Sequence, residues 1–131
     1  MATQHFTVTD QDTAIALGSG DVPVLATPRL IAWMEAATVV AVSPQLDPSS
    51  TTVGIEVWIR HRRASAVGAH VEVEVTDITE QDRGVLFDVV AREVLTAADD
   101  GDPSHGVGRQ EIASGRVVRA IVDRGSFLRR L

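Results

Sequence analysis

The 131-residue chain has the length of one domain, contains no cysteine and carries a formal net charge of −6 at pH 7. That length can bury a real core without cross-links. The missing cysteines exclude disulfides, thiolate metal sites and a thiol nucleophile. The acidic balance argues against a nucleic-acid partner, whose phosphates need a basic face. All twelve basic residues are arginine, which also excludes Schiff-base chemistry and a phosphate-loop lysine.

The start, Met1 to Phe6, has neither a basic nor an apolar signal region, and no apolar run approaches the ~20 residues of a membrane span. A cytoplasmic protein without membrane contact is the expectation. Phe6, Val8 and Asp10 alternate with Thr7 and Thr9, which predicts a short first strand. A loop with Gly18, Gly20, Asp21 and Pro23 follows. From Pro28 to Val42 apolar residues cover every side of a helical wheel, the mark of a buried helix. Thr27 reads as its N-cap and Pro28 as its first position; Ser43-Pro44 ends it.

Strands come next. Ile55, Val57 and Ile59 share one face, with Glu56, Trp58 and Arg60 on the other. Gly68 marks a turn. Val71, Val73 and Val75 point inward, and Glu72, Glu74 and Thr76 outward. Gln81-Asp82-Arg83-Gly84 is a tight turn before a strand over 85–95. Ala98 to Gly108 reads as an exposed hairpin loop, 112–122 as the last long strand, and Arg124 to Leu131 as a short basic tail. No repeat or linker interrupts this order, so residues 1–131 form a single domain. The class is α+β, with one long buried central helix against a curved antiparallel sheet of about five strands. The outer edge of that sheet is free to pair with a second copy.

Glu35 is the only charge between Arg29 and Asp47. A carboxylate in a buried helix needs a partner or a proton, a setting suited to a general base or nucleophile. His61 has the parity of Ile55, Val57 and Ile59, so its ring should face the helix and can orient or exchange protons with a carboxylate. Thr27 caps the helix or bonds a reacting group. Gly54 marks a bulge or bend, or lets a ligand approach the backbone. Arg60, Arg62 and Arg63 flank His61, either as a solvated strand end or as ligands for phosphates. No histidine, cysteine or carboxylate spacing suggests a metal.

Val24-Leu25-Ala26-Thr27-Pro28, Trp33-Met34-Glu35-Ala36-Ala37, Val53-Gly54, His61, Gly68 and Ser114-Gly115 with Arg119 together resemble the fluoroacetyl-CoA-thioesterase-like branch of the hotdog-fold thioesterases, from about Asp21 to Phe127. The resemblance implies a hotdog domain that hydrolyses acyl-CoA thioesters with small or medium acyl groups. It implies a catalytic Thr27, Glu35 and His61, with Glu35 attacking the carbonyl or activating water. It implies that the Gly54 N–H receives the thioester oxygen and that Arg119 lies near the site; Arg60 and Arg62 are the candidates for the coenzyme A phosphates. No cofactor is implied beyond the coenzyme A of the substrate. The family works as a homodimer with sites at the subunit interface, and a dimer of dimers is a further assembly. Asp21 stands where the fluoroacetyl enzyme has a lid phenylalanine, Ser65-Ala66 replaces the usual Thr-Pro after the catalytic histidine, and Val117 replaces a histidine of the last strand. The alternatives are a hotdog dehydratase or hydratase, a non-catalytic module binding acyl-CoA or another small ligand, and a protein that only dimerises, with Glu35 in a structural ion pair to Arg119.

Overall fold

The computed structural model describes residues 2–96 and 106–131; most of the hairpin loop predicted over 98–108 lies outside them. Strand β1 (Thr3–Thr7) leads into a short helix α1 (Ala14–Leu17) and the long helix α2 (Thr27–Val42), after which come β2 (Ser50–His61), β3 (His70–Gln81), β4 (Gly84–Thr96), β5 (Gly106–Asp123) and a terminal helix α3 (Arg124–Arg129). The strands form one sheet in the order β1-β3-β4-β5-β2, and every pairing is antiparallel. Consecutive strands β1 and β2 thus lie at opposite edges. The segment joining them must cross the sheet, and α2 is that crossing.

The apolar residues of α2 explain why it crosses against the sheet rather than above it. Leu30, Trp33, Met34, Ala37 and Val42 are buried against Val71, Val73 and Val75 of β3, Phe87 and Val89 of β4, and Val117 of β5. Trp33 stacks on Phe6 of β1 with ring centroids 4.5 Å apart. The opposite side of the helix is not covered by the described residues: Ala32, Ala36, Val39 and Val40 are exposed. The helix is therefore apolar all round, with the sheet accounting for one side only.

Three local features depart from the sequence reading. Glu72 was expected to face water but is buried, because Arg109 and Arg92 reach it at 2.8 and 3.7 Å. The tail folds into α3, capped by Asp123, whose carboxylate accepts from the Ser126 N–H at 2.8 Å and is thereby held below the usual range. The register of β2 against β5 slips between Gly54 and Glu56. This bulge makes Ile55 the extra residue, 62% exposed. Thr52 and Gly54 before it, and Val57, Ile59 and His61 after it, then all face the helix despite opposite parity. Among the described residues no helix is long and apolar enough to cross a membrane.

Candidate active site

Thr27 is not the N-cap. That place belongs to Ala26, whose side chain makes no capping bond, and Thr27 is the first helical residue, followed by Pro28. Its hydroxyl is thereby free to reach across to β2, where Oγ1 lies 2.8 Å from His61 Nδ1. Beyond the bulge in β2 the alternation is unbroken, and His61 shares the helix-facing side with Val57 and Ile59. Burial holds the imidazole pKa below its ordinary value of 6.5, offset in part by the Arg63 backbone. The second ring nitrogen, Nε2, is buried without a hydrogen-bond partner.

This direction of shift predicts a pH effect. The unfolded chain takes up a proton at His61 near pH 6.5, whereas the folded chain resists it until the pH is lower. The unfolded state therefore binds more protons in that window, and stability contributed at this site falls as the pH drops below 6.5. His61→Asn removes the effect: the stability difference between native protein and variant should shift in the variant's favour between pH 7.5 and roughly 5.5. Denaturant unfolding at the two pH values measures it, and a difference independent of pH would refute it.

Glu35 lies two turns further along α2, eight residues and about 12 Å of axial rise from Thr27. Its carboxylate meets β2 and β5 at another point. Arg119 Nη1 donates to Glu35 Oε2 at 3.2 Å, while Arg119 Nε and Nη2 donate to Thr52 Oγ1 at 2.8 Å and to the Thr52 carbonyl at 3.2 Å. The Arg119 side chain is 8% exposed and that of Glu35 36%, so the pair opens toward solvent on the carboxylate side. Gly54 leaves room for this carboxylate: a Cβ at this position would overlap Glu35 Oε2 and push it aside. Sequence reasoning placed Gly54 and Arg119 near the site but missed Thr52, which carries no motif and shows itself only through the register of β2 and β5.

Within one chain the predicted residues thus form two groups, Thr27 with His61 and Glu35 with Gly54 and Arg119, and no hydrogen bond joins the side chain of Glu35 to either Thr27 or His61. Arg62 and Arg63 line a cavity of about 300 Å³ together with Gly20, Asp21, Thr27 and His61. Arg62 also lies 3.7 Å from Glu111. Arg60 is not part of this group. It alternates with His61 on the strand and lies over Trp58, 5.5 Å from the ring centroid, on the outer face of the sheet. Two wider hollows of about 720 and 750 Å³ flank Ile55 and Val118 on that outer face and contain none of the predicted catalytic side chains. Among the described residues no group of three or more His, Asp or Glu side chains could hold a metal ion.

Residues 8–102 match the family model described as fluoroacetyl-CoA-specific thioesterase. The chain belongs to that family. Membership makes it a thioester hydrolase, with acyl-CoA thioesters as its substrate class. The fold is shared with a phenylalanine-to-alanine variant of the fluoroacetyl-CoA-specific thioesterase FlK in complex with fluoroacetate and CoA, at a TM-score of 0.80 and 25% identity over 99% of this chain and 95% of that one. A Thermus thermophilus hypothetical protein described as a thioesterase superfamily member aligns with a TM-score of 0.79 at 22% identity, over 98% of this chain and 88% of that one. A hot-dog-like protein from Thermanaerovibrio acidaminovorans gives 0.73 at 16%, over 98% and 84%. The last two likenesses establish the hotdog fold alone. No curated protein matches the chain.

Proposed function

We propose that this thioesterase acts as a homodimer on acyl-CoAs with small or medium acyl groups, and that each active site is composite: Glu35 of one subunit works with Thr27 and His61 of the other. The observation that carries this reading is the division of the predicted residues into two groups about 12 Å apart along one helix. Atoms that act on one carbonyl must converge within a few ångströms. A second copy supplies the missing half at both places at once. The exposed stripe of Ala32, Ala36, Val39 and Val40 on α2, with the half-exposed Val57 on the same side of the edge strand β2, offers such a copy an apolar face beside a strand edge.

In the hydrolytic step Glu35 acts in one of two balanced ways. As a nucleophile it adds to the thioester carbonyl and expels the coenzyme A thiolate; water then cleaves the resulting anhydride, and the two protons it releases are shared by the thiol and the solvent. As a general base it takes a proton from water, whose oxygen adds to the carbonyl, and passes that proton to the departing sulfur. His61 and Thr27 position and polarise the carbonyl, with Nε2 as the ring nitrogen that Thr27 leaves unpartnered. The Gly54 N–H is the second oxyanion donor, and Arg62, which lines the cavity of about 300 Å³ beside His61, is the candidate to meet an anionic part of the substrate.

One observation favours a different reading. The Glu35–Arg119 pair is the ion pair expected if Glu35 were purely structural, and a binding module on this fold would retain it. Free-thiol release from a panel of acyl-CoAs, acetyl to long chain, separates the two. Turnover with a preference at the short or medium end supports the enzyme. No thiol release from any member, with acyl-CoA still bound, supports the binding module.

A further inference from the structure

We propose that Thr52 is a positioning residue for catalysis, acting through Arg119 on Glu35; this rests on Glu35 being the reacting carboxylate. The arginine fork is planar, so two fixed bonds set the direction of the third. Thr52 supplies both, accepting from Nε through its hydroxyl at 2.8 Å and from Nη2 through its carbonyl at 3.2 Å. Nη1 is left aimed at Glu35 Oε2, 3.2 Å away. Arg119 is 7% exposed and Thr52 9%, so this clamp is shielded from water while Glu35 remains partly open. A guanidinium in such surroundings that loses one acceptor has no solvent to turn to and must rotate toward another. Its remaining grip on the carboxylate then changes direction.

The clamp and the clearance for the carboxylate come from one stretch of chain. Thr52 holds Arg119, and Gly54, on the same face of β2, leaves the space Glu35 occupies. The Glu35 carboxylate is therefore confined between a strand without a side chain and a guanidinium fixed by that strand. This is the arrangement a reacting carboxylate needs if it is to meet a carbonyl held by another subunit.

The test uses the full chain with Thr52→Val, Thr52→Ser and Arg119→Gln, and Thr52→Val combined with Arg119→Gln. Thr52→Val keeps the side-chain shape and removes the acceptor. It is expected to lower kcat about tenfold with KM changed by less than about twofold, because the clamp touches the reacting carboxylate and not the carrier. Thr52→Ser should recover most of the loss. In the Arg119→Gln background Thr52→Val should cost nothing further, whereas the same tenfold loss there would overturn the proposal. A readout without turnover accompanies these: exchange of the Arg119 Nε–H, followed by NMR, should be slow in the native protein and in Thr52→Ser and fast in Thr52→Val. Unchanged exchange in Thr52→Val overturns the clamp. Absence of thioester turnover in the native protein would instead sink the proposed function, with the exchange data still deciding whether Thr52 holds Arg119.

Discussion

Glu35→Gln is expected to lower kcat by about a hundredfold or more on the best acyl-CoA, with KM little changed, because the interaction removed exists only in the transition state. Glutamine is the informative replacement. Its amide oxygen can still accept from Arg119 Nη1, now 3.2 Å from Glu35 Oε2, so the buried guanidinium keeps a partner. What disappears is the capacity to attack a carbonyl or take a proton. The variant should therefore unfold within a few degrees of the native protein. A purely structural Glu35 predicts unchanged turnover in Glu35→Gln and lowered stability in Glu35→Ala, where the buried guanidinium loses its partner.

Phe87→Ala should be the most damaging single change to stability, at about 3–5 kcal/mol. Phe87 is the largest fully buried side chain, and it projects from β4, the middle strand of five, between Ile78 and Val117. The chain has only three phenylalanines and two tryptophans and no tyrosine. A core built mostly from valine and alanine has little flexible bulk with which to fill the space. Stiff, β-branched neighbours such as Val71, Val73 and Val117 cannot swing into a ring-sized void. For a domain of this size the melting temperature should fall by roughly 10–20 °C. A loss under about 1 kcal/mol in denaturant unfolding would mean that the core collapses onto the gap.

The fold was readable because its signals are long and periodic. The alternation of Val71, Val73 and Val75, the turn before Gly84 and the unbroken apolar helix each demand one element, and together they leave a sheet curled against one helix. What escaped the sequence was set by register and by three-dimensional neighbours. Thr27 looks like a cap because threonine before proline usually is one; here the helix begins one residue earlier and the hydroxyl is spent on His61. Gly54 signals a bulge or bend in β2 but not its register, and that register decides that Thr52, Gly54 and His61 share a face. The parity that His61 shares with Val57 and Ile59 lies wholly beyond the bulge and turns it to the helix as expected, whereas Ile55 is the bulged residue and is exposed. Glu72 looked solvated because nothing in its own strand reveals Arg92 and Arg109. The family resemblance grouped Thr27, Glu35 and His61 as one set; helical rise separates Glu35 from the other two within the chain.

Subunit mixing tests the composite site most directly. Glu35→Gln and His61→Asn are each expected to be inactive alone. Refolded together, the two chains form mixed dimers in which one site joins an intact Glu35 to an intact His61, and the other has lost both. If the chains pair at random, half the dimers are mixed, each with one working site, and about a quarter of the native activity should return. Activity no greater than the sum of the two separate variants, in a preparation where mixed dimers are demonstrated, would contradict the account and place the whole reaction within a single chain.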